Sequence, residues 1–260
     1  MRYFVIDAFA DELFCGNPAG VCLQERELDT SLMQKIAYEN NLPETAFLLK
    51  KDGKYHLRWF TPEVEIDLCG HATLATAFVM MNIISPKLRN VEFETMSGTL
   101  TVRKNGDIFA MNFPRRKPEP CEIPPSLEKA MGCNVLETHL SRDLLVLVEK
   151  EENVALLQPD FEMLREISIS MAFAVIVTAP GKECDFVSRF FAPNAGILED
   201  PVTGSSHSTL IPFWSRRLGK TKMTARQLSK RGGTLFCEEL GDRVEIGGRT
   251  KCYLQGEIAI

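Results

Sequence analysis

The side chains best placed for chemistry are Glu44 and two short turns of small and polar residues. The turns are Cys69-Gly70-His71-Ala72-Thr73 and Asp200-Pro201-Val202-Thr203-Gly204-Ser205. Each turn precedes a run that predicts a helix. A helix N-terminus presents unpaired N–H groups and a partial positive charge, which suits a carboxylate or a developing enolate. Gly70 and Gly204 would let a ligand approach the backbone closely. Glu44 follows Pro43 just past a helix end, where the chain re-enters a strand through Ala46-Phe47-Leu48. A carboxylate pressed against apolar neighbours in a cleft has its charged form disfavoured, which moves its pKa toward a value useful for proton transfer. His71 titrates near neutrality and can shuttle a proton or hold a carboxylate. The ordinary alternatives are a solvent-facing Glu44, an Asp200 that only forms a turn, and Thr203, Ser205 and Ser206 acting as helix caps. The occurrence of two such turns favours function.

The turns belong to a longer repeat. Arg58-Trp59-Phe60-Thr61-Pro62 returns as Arg189-Phe190-Phe191-Ala192-Pro193. At nearly the same offset, Gly98-Thr99-Leu100 with Gly106-Asp107 returns as Gly233-Thr234-Leu235 with Gly241-Asp242. One ancestral unit used twice explains both matches, and two related halves invite a ligand site in the cleft between them. Two helix ends facing that cleft would grip one anionic group, or divide a carboxylate and an oxyanion between them.

Periodicity supplies the elements that must hold these residues. Tyr3 to Ala8 and Ala19 to Leu23 alternate as strands across the Cys15-Gly16-Asn17-Pro18 turn. Asp29 or Thr30 starts a helix with Leu32, Met33, Ile36 and Ala37 on one face, ended by Asn40-Asn41 and Pro43. Thr45 to Lys50 and Tyr55 to Phe60 predict a hairpin through Asp52-Gly53. Leu74 to Ile84 predicts a helix buried on all sides, and Val91–Thr95, Gly98–Arg103 and Ile108–Phe113 a meander. A Pro-rich stretch from Pro114 to Pro125 predicts the connector between halves. Beyond it, Leu144–Val148, Val154–Leu157, Ala174–Thr178 and Asp185–Phe191 predict strands, a helix starts near Gly204, and Thr234–Ile246 closes with a meander. The expected division is 1–114 and 115–251, with 252–260 a strand able to return to the first half. The expected class is α+β, each unit a sheet curled around one apolar helix.

Composition bounds the rest. A length of 260 residues allows two modest domains, and 45% apolar with 25% charged residues is ordinary for a soluble protein. A net charge of −5 and a pI near 5.5 argue against a nucleic-acid or membrane-surface binder. No export signal or membrane span is legible, so the expected compartment is the cytoplasm. The eight cysteines form no C-x-x-C pair and predict reduced, mostly buried thiols. No Walker loop, dinucleotide fingerprint or H-E-x-x-H spacing is present, so no cofactor and no metal are expected. Gly204-Ser205-Ser206-His207-Ser208 fails the G-x-S-x-G spacing of a hydrolase turn because position 208 is Ser. The basic residues between Arg216 and Arg231 predict a solvated helix face, with anion steering or partner binding as the alternative.

Six segments in order carry a family resemblance. They are Gly16-Asn17-Pro18-Ala19, Asn41-Leu42-Pro43-Glu44-Thr45-Ala46-Phe47, Arg58 to Pro62, Cys69 to Leu74, Arg189 to Pro193 and Glu199 to Ser205; Arg231-Gly232-Gly233 extends them. With these the chain resembles the phenazine-biosynthesis-like (PhzF) isomerase family, within the diaminopimelate-epimerase-like fold. The resemblance implies two pseudo-symmetric domains, each a barrel-like mixed sheet around a central helix, and an active site in the interdomain cleft. It implies Glu44 as catalytic acid/base, His71 and Asp200 as substrate-contacting and proton-handling residues, Ser205 as a hydrogen-bonding partner and Asn17 as a substrate contact. It also implies a homodimer. Related epimerases use two thiols. Cys69 stands at the first thiol position, but the second turn reads Asp200-Pro201, which disfavours two-cysteine racemisation and leaves Cys69 as a small buried residue behind Gly70. The expected activity is cofactor-independent isomerisation by proton transfer on a small anionic metabolite. The alternative is a non-catalytic ligand-binding or interaction module using the same cleft.

Overall fold

Alternating strand residues and left-handed turns build the first part of the chain in a computed structural model that describes residues 1–260. The chain divides into unit 1, Met1–Asn112 with Gly247–Ile260, and unit 2, Phe113–Ile246. In unit 1, β1 (Arg2–Ala8) pairs antiparallel with β2 (Asn17–Gln24), and on its other side with the C-terminal strand Thr250–Glu257. Gly16 makes the entry to β2 possible. Its φ is +72°, and a Cβ there would lie 2.2 Å from the Ala8 carbonyl oxygen.

Helix α1 (Thr30–Asn40) buries Met33, Ile36 and Ala37 at helical spacing against Cys22, Phe47 and Phe60. It starts after Asp29 without a side-chain cap. It ends at Asn41, which adopts φ 48° and donates to the Ala37 carbonyl over 3.1 Å. The chain then enters β3 (Glu44–Lys51), parallel to β2, and turns into β4 (Lys54–Phe60). Asp52 and Gly53 make that turn with φ 52° and 77°, the backbone twist a two-residue hairpin favours. The short β5 (Glu65–Ile66) folds back on β4 and delivers the chain to α2 (Gly70–Phe78). After it, β6 (Asn90–Thr95) runs parallel to β4, and β7 (Gly98–Asn105) and β8 (Ile108–Pro114) complete the meander.

The sheet of unit 1 curls around α2, which touches β1, β2, β3, β7 and the C-terminal strand. His71 through Ala77 are all buried. The two threonines survive there because their hydroxyls bond inside the helix, Thr73 Oγ1 to the Cys69 carbonyl at 2.5 Å and Thr76 Oγ1 to that of Ala72 at 2.8 Å. A π-helical turn, Val79–Ile84, follows and surfaces at Asn82. The expected full burial to Ile84 therefore stops at Met81.

Unit 2 runs through the same pairings in the same order. It contains β9 (Glu119–Cys121), α3 (Leu127–Met131), β10 (Glu137–Leu140), β11 (Leu144–Leu147), α4 (Glu151–Ala155), α5 (Phe161–Met171) and β12 (Val175–Pro180). Then come β13 (Phe186–Ala192), β14 (Ile197–Asp200), α6 (His207–Leu218), β15 (Lys222–Gln227), β16 (Gly233–Leu240) and β17 (Arg243–Gly248). Strands β10 and β11 are antiparallel, β11 and β12 parallel, β12 and β13 antiparallel, and β15 runs parallel to β13. Each relation repeats the one between β1, β2, β3, β4 and β6. Even the extra strand recurs: β9 flanks β10 as the C-terminal strand flanks β1. The core of unit 2 gathers Leu144, Val146, Val175, Val177 and Phe191 beneath Leu164 and Ile167 of α5.

Four local expectations change. Val154–Leu157 is not a strand; Glu151–Ala155 forms α4, with acidic Glu151 and Glu152 in the first turn complementing the helix dipole. The basic run is a helix face only at its start: Arg216 and Arg217 are exposed in the last turn of α6, whereas Lys222 and Arg226 project from β15 and Arg231 lies in a loop. The Pro-rich stretch carries β9 and leads into α3 rather than lying open. The eight cysteines are free, but Cys22, Cys69 and Cys237 alone are buried and the other five are half-exposed. No helix is long and apolar enough to cross a membrane.

Candidate active site

Glu44 is positioned by the break that ends α1. Asn41 turns the chain in the left-handed region, Pro43 forbids helical continuation, and Glu44 becomes the first residue of β3, beside Ala19 of β2. His71 is the second residue of α2. These two elements bring Glu44 Oε2 within 2.9 Å of His71 Nε2, with side chains only 13% and 9% exposed. The atoms are at hydrogen-bond distance but off the aligned geometry, so the contact is first an attraction of charges. Both atoms keep hydrogen-bonding capacity for a ligand.

The opposite ring nitrogen, His71 Nδ1, lies 3.5 Å from Cys69 Sγ. The thiol thus touches the imidazole rather than only packing behind Gly70. Burial, and then the neighbouring Glu44 charge, push the Cys69 pKa up, which keeps it a neutral thiol at neutral pH. For His71, burial disfavours the imidazolium, while Cys69 and Glu44 favour it more strongly, and the net direction is well above the usual histidine range. The donor atoms of Glu44, Cys69 and His71 lie within 4.8 Å of one another. His71 presents a different nitrogen to each neighbour, so one ion could not take both contacts as they stand.

Gly70 opens α2 as expected, with Cys69 extended before it and no side chain capping the helix. Asn17 is fully buried at the start of β2, opposite Ala8. Unit 1 therefore assembles Glu44, Gly70 and His71 around one helix end.

In unit 2, α6 begins at His207 rather than at Gly204. Gly204, Ser205 and Ser206 form the tight turn ahead of it, with His207 N donating to the Gly204 carbonyl at 3.0 Å. Ser206 does not cap the helix; its hydroxyl donates to the Thr203 carbonyl at 2.8 Å. The carboxylate of Asp200 accepts a short hydrogen bond from the Thr203 hydroxyl. Gln227, at the end of β15, clamps the turn from both sides. Its Nε2 donates to the Asp200 carbonyl at 2.7 Å, and its Oε1 accepts from Thr203 N at 2.8 Å. Ser229 adds a bond to the Pro201 carbonyl at 2.7 Å.

Ser205 is half-buried, and its hydroxyl accepts from Arg142 Nη2 at 3.4 Å. Arg142 in turn grips the fully buried Asp143 with two bonds of 2.9 and 2.8 Å, and lies over the Phe173 ring. Arg116 joins the same helix end, its backbone N donating to the Ser208 carbonyl at 2.9 Å and its Nη1 buried without a hydrogen bond. Burial, and then the positive charge of Arg142, hold the Arg116 pKa below its ordinary value. Gln227, Arg142 and Arg116 carried no sequence signal, because no motif residue lies next to them in the chain.

The profile of the phenazine biosynthesis-like (PhzC-PhzF) family matches residues 6–256. An uncharacterized isomerase of Pseudomonas aeruginosa is 49% identical over 258 residues, covering 99% of this chain and 98% of the relative. A phenazine biosynthesis-like domain-containing protein of Homo sapiens is 37% identical over 98% of each chain. The crystal structure of a phenazine biosynthesis protein PhzF family member from Enterococcus faecalis superposes with a TM-score of 0.97 at 48% identity, covering 100% of this chain and 99% of that one. A probable proline racemase from Agrobacterium radiobacter shares the fold at 10% identity, with a TM-score of 0.67 over 100% of this chain and 93% of that one. The expected α+β, diaminopimelate-epimerase-like architecture is thereby shown.

Proposed function

The chain belongs to the phenazine biosynthesis-like (PhzC-PhzF) family, and from that premise we propose that it is an isomerase moving a proton on a small anionic metabolite, with Glu44 as general acid/base. The observation that carries this reading is the 2.9 Å approach of Glu44 Oε2 to His71 Nε2 in a nearly buried setting. Relatives named as isomerases support the class.

In the proposed reaction the Glu44 carboxylate removes a proton from a carbon next to a carbonyl, carboxylate or conjugated alkene. The electron pair left behind delocalises onto oxygen. The first-turn amides of α2 at Gly70 and His71 stabilise that charge, as a helix end does for any anion. His71 holds the carboxylate in place and accepts or returns charge as the proton moves. The protonated Glu44 then delivers the proton to another carbon, so atoms and electrons balance without a redox partner or a cofactor. Asp200 and Ser205, on the turn held by Gln227, are proposed to orient the substrate, and Asn17 to contact it.

The test is a metabolite library incubated in deuterated water. Solvent deuterium in an isomerised product, lost on Glu44→Gln with the fold intact, supports the proposal. Ligand binding without turnover by the parent protein would instead identify a binding module.

A further inference from the structure

We propose that Cys69 is a positioning residue for the chemistry at Glu44: its sulfur holds the His71 ring by Nδ1, so that Nε2 is the nitrogen turned to Glu44. The proposal deepens the acid/base reading of Glu44 and rests on it for its catalytic meaning. An imidazole side chain has a broad, nearly two-fold torsion about its last bond. A flip exchanges each ring nitrogen with a carbon, and an apolar neighbour would not resist it. Here the sulfur sits 3.5 Å from Nδ1 while the carboxylate sits 2.9 Å from Nε2. Only one orientation of the ring meets both.

Sulfur suits the task because it is both a weak donor and a weak acceptor. With neutral imidazole the S–H donates to Nδ1, leaving the ring proton on Nε2. With imidazolium, Nδ1–H donates to the sulfur, and Nε2–H still faces Glu44. The contact therefore persists while a proton comes and goes at Nδ1, and Nε2–H stays turned to Glu44. Cys69 is itself fixed. It is 6% exposed, and its carbonyl accepts both the Thr73 amide at 3.2 Å and the Thr73 hydroxyl at 2.5 Å. Glu44 from β3 and Cys69 from the turn before α2 are the titratable groups that face His71.

The experiment is imidazole ¹⁵N NMR of the full chain across pH, which needs no substrate. The signal of His71 is identified among the four histidines by its loss in His71→Asn. The parent should show Nε2 protonated throughout, with a midpoint above the usual histidine range. Cys69→Ala should lower that midpoint and mix the tautomers. Cys69→Ser, which restores a donor and acceptor, should keep the parent tautomer and most of the midpoint. Parent-like behaviour in Cys69→Ala overturns the proposal, as does Cys69→Ser matching Cys69→Ala. If Cys69→Ala fails to fold, the serine variant decides alone. A lost catalytic role for Glu44 would appear separately, in the turnover of Glu44→Gln.

Discussion

Arg189 holds Glu199 through two parallel hydrogen bonds, Nε to Oε1 at 2.6 Å and Nη2 to Oε2 at 2.9 Å. Arg58 holds Glu65 in the same way, at 2.6 and 2.7 Å. In both units the guanidinium also lies over the phenylalanine two residues later, Phe191 or Phe60, at 5.1 and 5.2 Å. The repeated Arg-aromatic-Phe element carries this fork in both units. It ties each central strand to the short strand that leads toward a turn and helix.

The two forks differ in burial, which sets an expected asymmetry. The Arg189 side chain is 11% exposed and also donates to the Val154 and Leu157 carbonyls, whereas Arg58 is 34% exposed. Arg189→Lys keeps the charge but loses the fork and the carbonyl bonds. It should cost about 2–3 kcal/mol in urea denaturation. Arg58→Lys should cost about 1 kcal/mol or less. Equal losses would contradict the assignment.

Two buried histidines should bend the stability profile in opposite ways. Burial lowers the His207 pKa to about 4, with partial opposition from the Thr203 carbonyl. The unfolded chain therefore takes up a proton that the folded one refuses between about pH 6.5 and 4. Stability should fall across that window as pH drops, by on the order of 3 kcal/mol, and His207→Asn should flatten this part of the curve. His71 is raised instead, burial being outweighed by Cys69 and Glu44. Its contribution is fully present below the ordinary histidine value and lost as pH rises through its raised value. Denaturation curves of the parent and of His71→Gln across alkaline pH check the second limb.

Gln227 should govern the second turn without touching the first. Gln227→Ala removes one hydrogen bond to the Asp200 carbonyl and one from the buried Thr203 amide. The expected cost is about 2–3 kcal/mol. Amide exchange at Thr203 should accelerate while exchange in α2 stays as in the parent. Unchanged exchange at Thr203 would show that the clamp is dispensable.

Glu44→Gln should lower turnover by about 10²–10⁴-fold while leaving the melting temperature within a few degrees. Activity within tenfold of the parent would remove Glu44 from the acid/base role.

What the chain determined by itself is local and periodic. The alternation of β1 to β4, the Asp52-Gly53 hairpin, the stop at Asn41 and Pro43, and the apolar run of α2 are set by backbone sterics and side-chain spacing, which act over a few residues. The family motifs, and with them the candidates Glu44, His71, Asp200 and Ser205, were legible for the same reason. Tertiary structure decided the rest. Val154 to Leu157 has strand-like residues but no strand to pair with, and two acidic residues at its start favour a helical turn. Lys222 to Gln227 became a strand because β13 and β16 offered their edges, while its charges hid the apolar residues between them. The bonds of Gln227 to Thr203 and of Arg142 to Ser205 join residues far apart in the chain, as does the Glu44–His71 contact. Such contacts exist only after the sheet has closed on its helix, since hydrogen bonds and charge pairs depend on distance in space and leave no period in sequence.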